Sequence, residues 1–161
     1  MPRRSSPEAP GIKLIATNRR ARHDYEIEET FEAGLVLVGT EVKSLRAGKA
    51  DLKDAYATWR DGELFLVSAH IGAYEKAGHF NHEPRRERKL LMQKRVIERL
   101  GVRIRERGYT LVPLEIYFKK GYAKVLLGLA KGRKKYDHRQ EILAESERRE
   151  MREAARKEPG R

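Results

Sequence analysis

The stretch from Thr110 to Leu129, TLVPLEIYFKKGYAKVLLGL, restricts the fold more than any other part of the chain. Thr110, Val112, Leu114, Ile116 and Phe118 recur at every second position, so they share one face of a strand. Lys119-Lys120-Gly121 then reverses the chain, and Ala123, Val125, Leu127 and Leu129 return along the same inward face. Lys124, between two inward residues, points outward. AYATWRDGELFLVSAHI repeats the device on a smaller scale: Asp61-Gly62 supplies the positive φ angles of a two-residue turn between two strand-like runs.

The remaining elements follow from periodicity. In YEIEETF, Tyr25, Ile27 and Phe31 predict a half-buried strand, interrupted on that face by Glu29. Leu35, Val38, Val42 and Leu45 recur at three- and four-residue steps and predict a helix ending near Gly48. Residues 72–84 read as a loop closed by Pro84, and Arg85 to Arg107 as a basic helix carrying Leu90, Ile97, Leu100 and Ile104, with Gly101 as a point of weakness. Residues 1–14 are rich in Pro, Ser and Arg and poor in apolar groups, so they are expected to be mobile, with structure beginning near Ile15. Five strands with interspersed helices in residues 15–130 predict a mainly β, α+β domain: an OB-like, partly open antiparallel barrel, which hides most strand edges. Residues 131–161 form a basic tail whose few apolar groups include Ile142, Leu143 and Met151. Glu145 to Arg149 and Glu153 to Lys157 are favourable i,i+4 pairs. The tail is expected to be disordered when free and helical against a partner.

Charge narrows the partners. The formal net charge is +12 over 161 residues, with a pI near 10.0, a balance that favours a polyanion. It is unevenly distributed: residues 25–83 carry six basic and eleven acidic groups, whereas residues 84–108 carry ten and three and the tail eleven and seven. Oriented cationic faces around an acidic middle are the expectation. The absence of cysteine excludes disulfides, thiolate zinc sites and a cysteine nucleophile. No long apolar run or secretory h-region is present, so the expected setting is soluble and cytoplasmic, without a membrane partner.

Catalytic patterns are weak. His23-Asp24 lacks a nucleophile motif such as G-x-S-x-G, and GTEVKSL and AGKADLKD lack the ordered glycines of a phosphate loop. His79, His82 and Glu83 have ligand-like spacing without an evident fourth donor. The expectation is binding rather than catalysis, with no cofactor and no metal. For RNA, Tyr25, Tyr56, Trp59, Tyr74, Tyr109, Tyr122 and Tyr136 are candidates to stack on unpaired bases. Tyr136 is the strongest of these, because it lies outside every apolar pattern and beside a basic run.

In order along the chain, ATNRRARHDY, IEETFEAGLVLVGTEVKSLRAGKADLKDAY, RDGELFLVSAHI, PRRERKLLMQKR and RERGYTLVPLEIYFKKGYAKVLLGLAKGRKKYDHR resemble the bacterial tmRNA-binding proteins of the small protein B family, over about Ala16 to Arg139. The resemblance implies an OB-like barrel and an accessory, non-enzymatic role in trans-translation. Such a protein holds the tRNA-like domain of transfer-messenger RNA at its elbow and replaces the missing anticodon arm. It brings the RNA, alanylated by alanyl-tRNA synthetase and carried by elongation factor Tu, to the A site of a stalled ribosome. By position, the implied tmRNA-facing residues are Asn18, Glu32, Leu91 and Lys124. Chemistry suits three of them: Lys124 for phosphate, Asn18 as donor and acceptor, Leu91 against an unstacked base. Glu32 is repelled by phosphate, so it either accepts from a base edge or ribose 2′-hydroxyl, fixes a neighbouring arginine, or orders the turn.

For the tail, the resemblance implies that Gly132, Tyr136, Asp137 and Arg139 act at the small-subunit RNA of the decoding centre. Lys131, Arg133 and Lys134 supply the adjoining cations, and later residues become helical in the empty message channel. His138 stands where the family usually has lysine, leaving the charge there open. Two alternatives are kept: an initiation-factor-like or general ribosomal RNA-binding OB protein, and an RNA-modifying enzyme.

Overall fold

The computed structural model describes residues 11–106, 108–132 and 148–152. These form β1 (Ile12–Thr17), α1 (Arg19–Asp24), β2 (Tyr25–Leu35), α2 (Gly39–Arg46), β3 (Ala50–Asp51), β4 (Tyr56–Arg60), β5 (Glu63–Val67), β6 (His70–Ile71), a 3-10 turn (Gly78–Phe80), β7 (Arg88–Leu91), α3 (Lys94–Arg105), β8 (Tyr109–Lys119) and β9 (Tyr122–Gly132). Residues 148–152 are helical. Among the described residues the first strand starts at Ile12, three residues ahead of Ile15, and β9 extends to Gly132.

Seven antiparallel strands pair in the order β1-β8-β4-β5-β7-β2-β9, and β8 also pairs with β9, which closes a ring with β1 outside it. β3 and β6 form a separate two-stranded sheet. The ring is the OB-like barrel expected from the strand pattern, and it is thin at two seams. β4 meets β8 at Ala57↔Leu111, and β2 meets β7 at Gly34↔Leu91 and Leu35↔Leu90. Both predicted hairpin turns are present, with positive φ at Asp61 (52°) and Gly62 (80°), and at Lys120 (51°) and Gly121 (83°).

Three expectations from periodicity change. First, β8 is not uniformly alternating: Pro113 pairs with Leu127 and Glu115 with Leu126, so Leu114 is an extra, bulged residue. Leu111, Ile116 and Phe118 enter the main core with Val125, Leu127 and Leu129, whereas Val112 and Leu114 join a smaller cluster with Ala21 and Ala130. Second, the predicted helix from Leu35 starts later: β2 continues to Leu35 and α2 begins at Gly39. Third, Arg85 to Arg107 is not one helix. Arg88 and Leu90 point inward and pair with Leu66 and Leu64 of β5, so β7 precedes α3. Gly101 does not break α3; it admits Trp59, whose Nε1 lies 2.6 Å from where a Cβ at 101 would stand.

α2 is held by charges inside the fold. Glu41 and Arg88 have no exposure and meet through Arg88 Nε, which donates to Glu41 Oε2 at 2.6 Å. Arg88 Nη1 donates to Ala69 O (2.8 Å) and Nη2 to Pro84 O (3.0 Å). Glu41 Oε1 also accepts from Arg86 Nη2 (2.6 Å) and from the Val38 N–H (2.9 Å). Burial pushes the Glu41 pKa up, but the hydrogen bonds from Arg86, Val38 and Arg88 outweigh it and hold the carboxyl below its ordinary range.

Glu41→Gln is expected to cost about 3–5 kcal/mol at neutral pH, because it leaves a buried guanidinium without its counter-charge. Since the folded pKa of Glu41 lies below the unfolded one, the unfolded chain takes up the proton first as pH falls. The wild-type advantage therefore shrinks through and below the ordinary carboxylate range. Urea unfolding of both proteins at pH 7 and pH 3 reads this narrowing gap.

Candidate nucleic-acid interface

The register of the barrel brings scattered residues into one line. Leu91 of β7 pairs with Gly34 of β2, Gly34 with Lys124 of β9, Lys124 with Tyr117 of β8, and Tyr117 with Leu14 of β1. Side chains directly opposite across paired strands share a face, so this row crosses five strands on the outside of the barrel. One pleat away on the same face runs Glu32, Leu126, Glu115 and Thr17; on the other side runs Tyr122, Lys119 and Ile12. Leu91 is 51% exposed and Tyr122 70%. Gly34 keeps the centre of the row open: a Cβ there would sit 3.4 Å from that of Leu91.

Glu32 is engaged from β8. Tyr117 Oη donates to Glu32 Oε2 at 2.5 Å, and Lys119 Nζ approaches the same oxygen at 3.3 Å. Burial raises the Glu32 pKa, but the bonds from Tyr117 and Lys119 and the nearby Lys124 charge bring it below the usual carboxylate value. Burial and the Glu32 bond push the Tyr117 hydroxyl far above its ordinary range. At neutral pH this is a phenol donating to a carboxylate, a fixed polar centre among Lys119, Lys124 and Tyr122. Of the readings open for Glu32, the side chains it fixes are a tyrosine and a lysine rather than an arginine.

Asn18 is placed differently from the other three implied residues. It is 5% exposed, and its Nδ2 donates to Leu52 O (3.1 Å) and Pro113 O (3.0 Å). Its Oδ1 accepts from the Ala21 N–H as the N-cap of α1. Both amide donors are thus used within the protein. Beside it, α1 and the β3–β4 connection flank a cleft of about 490 Å³ that includes Arg20, Asp24, Tyr25, Lys53 and Tyr56.

Where the tail leaves, Lys131 lies 5.0 Å and Arg103 4.4 Å from the Tyr109 ring centroid, while the Tyr109 hydroxyl donates to Glu28 Oε1 at 3.1 Å. Gly132 ends β9 opposite Tyr25. Arg133, Lys134, Tyr136, Asp137, His138 and Arg139 lie outside the described residues. His23 and Asp24 touch at 3.2 Å within α1, a helix that the sequence pattern did not predict. His82 shares hydrogen bonds with Thr40 Oγ1 and Ile71 O, both at 2.8 Å, so its ring is used in bracing a loop. Among the described residues no group of three or more His, Cys, Asp or Glu is arranged to hold a metal ion, and no helix is long and apolar enough to cross a membrane.

The alternation of β8 turns Tyr117 and Lys119 outward, but their engagement of Glu32 joins residues 85 and 87 positions apart and has no local signal. A proline within a central strand marks a bulge, so Pro113 was the available signal for the shift that sends Leu111 rather than Val112 and Leu114 into the main core.

A partly closed β-barrel with cations, an aromatic ring and apolar side chains aligned on one sheet face belongs to the class of OB-like barrels suited to nucleic acid. The family model described as "SmpB protein" matches residues 15–157, and the chain belongs to that family. It is 58% identical over 146 residues to the SsrA-binding protein of Symbiobacterium thermophilum, covering 90% of this chain and 92% of that protein. Against the SsrA-binding protein of Staphylococcus saprophyticus it is 54% identical over 151 residues, covering 94% and 95%. It also superposes on a chain of the solved structure described as "tmRNA-SmpB: a journey to the center of the bacterial ribosome", with TM-score 0.65 and 57% identity, covering 77% of this chain and 87% of that one.

Tyr117→Phe keeps the ring and removes the donor to Glu32. The expected result is a stability loss of about 1 kcal/mol and a rise of the Glu32 pKa toward the ordinary range. Carboxyl-carbon NMR titration of Glu32 measures the second effect directly.

Proposed function

We propose that this chain binds tmRNA and acts with it in trans-translation on the ribosome, its sheet face holding the tRNA-like domain at the elbow. The observation that carries the reading is the single row Leu91–Gly34–Lys124–Tyr117–Leu14, with Glu32 one pleat away. Of the four residues that family resemblance assigns to tmRNA, Leu91 and Lys124 stand on this row and Glu32 beside it on the same face. Membership of the SmpB family and relatives named SsrA-binding protein support the same RNA.

Each residue has a distinct task in this reading. Lys124 pairs with phosphate, and Leu91 packs on an unstacked base or the sugar beside it. Glu32 holds Tyr117 and Lys119 in place and offers its remaining lone pairs to a 2′-hydroxyl or base edge. Asn18 acts indirectly, by fixing α1 and the strand ends beneath it, because its amide donors are used inside the protein.

The barrel supplies the bulk that tmRNA lacks where a tRNA has its anticodon arm. Charged tmRNA reaches the A site with elongation factor Tu, and alanyl-tRNA synthetase is linked to the protein only through the RNA. The basic tail, with Lys131, Gly132, Arg133, Lys134, Tyr136, Asp137, His138 and Arg139, works at the decoding centre and in the message channel, which makes the protein ribosome-associated. No covalent step is assigned to the protein.

Binding to the isolated tRNA-like domain is expected to exceed binding to unrelated hairpins at matched salt. Equal affinities would favour a general ribosomal RNA-binding barrel instead. Lys124→Ala should weaken binding and reduce the slope of log K against log salt by about one phosphate contact. Truncation after Gly132, which leaves the Lys131–Tyr109 contact in place, should preserve tmRNA affinity but abolish peptide tagging in a reconstituted stalled-ribosome assay.

A further inference from the structure

The loop between β6 and β7 is a braced platform. Its base is closed by the Ile71 N–H donating to Pro84 O and the Gly72 N–H donating to Lys49 O, both at 2.9 Å. Inside it, Asn81 clasps Tyr74 from both sides: Oδ1 accepts from the Tyr74 N–H (2.8 Å) and Nδ2 donates to Tyr74 O (2.7 Å). His82 joins the loop to Thr40 of α2 and to Ile71 O, Lys43 stands 5.4 Å over the Tyr74 ring centroid, and Lys49 pairs with Glu75 at 2.7 Å.

This frame displays Phe80, which is 88% exposed, more than any other large apolar side chain among the described residues. An exposed apolar residue on its own needs no explanation. Phe80 differs in two respects. Its loop is held rigid by side chains that gain nothing from Phe80 itself, so the ring is presented without help from the core. Its loop is also tied, through His82 and Thr40, to an edge that carries exposed apolar side chains. Thr40, the α2 anchor of the loop, follows Val38 (46% exposed), and Val36 (42%) donates its N–H to Lys89 O of β7, two residues before the exposed Leu91. Of the loop carboxylates, Glu75 and Glu87 are engaged by Lys49 and Arg60 and exposed Glu83 accepts from the Arg85 N–H, while exposed Lys43, Lys76 and Arg85 stand in or beside the loop. A planar apolar ring on a loop that carries and adjoins exposed cations fits an unpaired base with its flanking phosphates.

We propose that Phe80 stacks on an unstacked base of tmRNA, extending the sheet-face contact past Leu91 onto the β6–β7 loop. The assignment rests on the tmRNA reading given above. A base stack requires a flat ring, whereas an apolar socket accepts any side chain of similar size. Phe80→Leu is therefore expected to weaken binding of the tRNA-like domain about tenfold, the scale of one base–aromatic stack. Phe80→Trp should stay within about threefold of wild type. Because Phe80 supports nothing in the core, both variants should melt with the wild type, which separates contact from folding.

The measurement is a titration of the full-length variants against the tRNA-like domain at fixed salt, with chemical probing of its unpaired bases. Loss of protection at one base with Phe80→Leu, and its retention with Phe80→Trp, establishes the stack. A wild-type protein that selects the tRNA-like domain while Phe80→Leu binds equally well overturns the stack and leaves the functional reading standing. Equal weakening by Leu and Trp also overturns it. Unchanged tmRNA affinity with impaired tagging moves the contact to ribosomal RNA and overturns the assignment. A wild-type protein without selectivity overturns the functional reading and this one with it.

Discussion

A carboxylate and a guanidinium with no exposure, Glu41 and Arg88, meet beneath α2, and much of the candidate surface is positioned by them. Removing two ions from water costs several kcal/mol each, a cost that mutual attraction offsets only when the remaining hydrogen-bonding positions are also filled. Here they are: Arg88 reaches the carbonyls of Ala69 and Pro84, and Glu41 collects Arg86 and the Val38 N–H. Three segments distant in sequence are thereby fixed relative to one another: the start of α2, the β5–β6 connection, and the run from the end of the Phe80 loop into β7. An apolar pair of equal volume would bury as much surface, yet would leave the Ala69 and Pro84 carbonyls without these donors. Leu91 lies three residues along β7 from Arg88, so the edge of the candidate RNA face takes its position from a charge pair that RNA never touches.

Asn18 does comparable work on the opposite flank. β8 pairs with β4 at Leu111 and with β1 from Glu115 onward, and between those points Asn18 supplies donors to the carbonyls of Pro113 and Leu114. Its Oδ1 meanwhile starts α1, which covers Val112 and Leu114, the residues that the bulge turned away from the main core. One buried amide thus reconciles a change of partner strand, a bulge and a helix start.

Much of the barrel was legible because strand alternation and turn chemistry are local. Asp61-Gly62 and Lys120-Gly121 each specify their reversal within two residues, and Val125, Leu127 and Leu129 alternate inward without interruption. What was not legible depended on partners far along the chain. Arg88 reads as a solvated helix charge until Glu41, 47 residues away, is seen to neutralise it. β1 lacks a clean alternating signature because it is bulged at Ile15 and lies outside the ring. At the site, Lys124 was readable as outward from its neighbours alone, and Leu91 and Glu32 came from resemblance. That they share one face with Lys124 is a fact of register across β7, β2 and β9, and register is a tertiary property.

The thin seams of the ring divide it into two sheets, β1-β8-β9-β2 and β4-β5-β7, that touch through Ala57 and Leu111 on one side and through Gly34–Leu35 and Leu90–Leu91 on the other. Each sheet contains a hairpin whose residues are close in sequence, whereas the seams join residues more than fifty positions apart and the β2–β9 and β1–β8 pairings join residues about ninety or more apart. Chain-closure entropy makes such distant joins the slow, late events of folding. The assembled barrel is therefore two shells held edge to edge like a bivalve, and the Gly34–Leu91 seam is also the line along which the candidate RNA face comes into being.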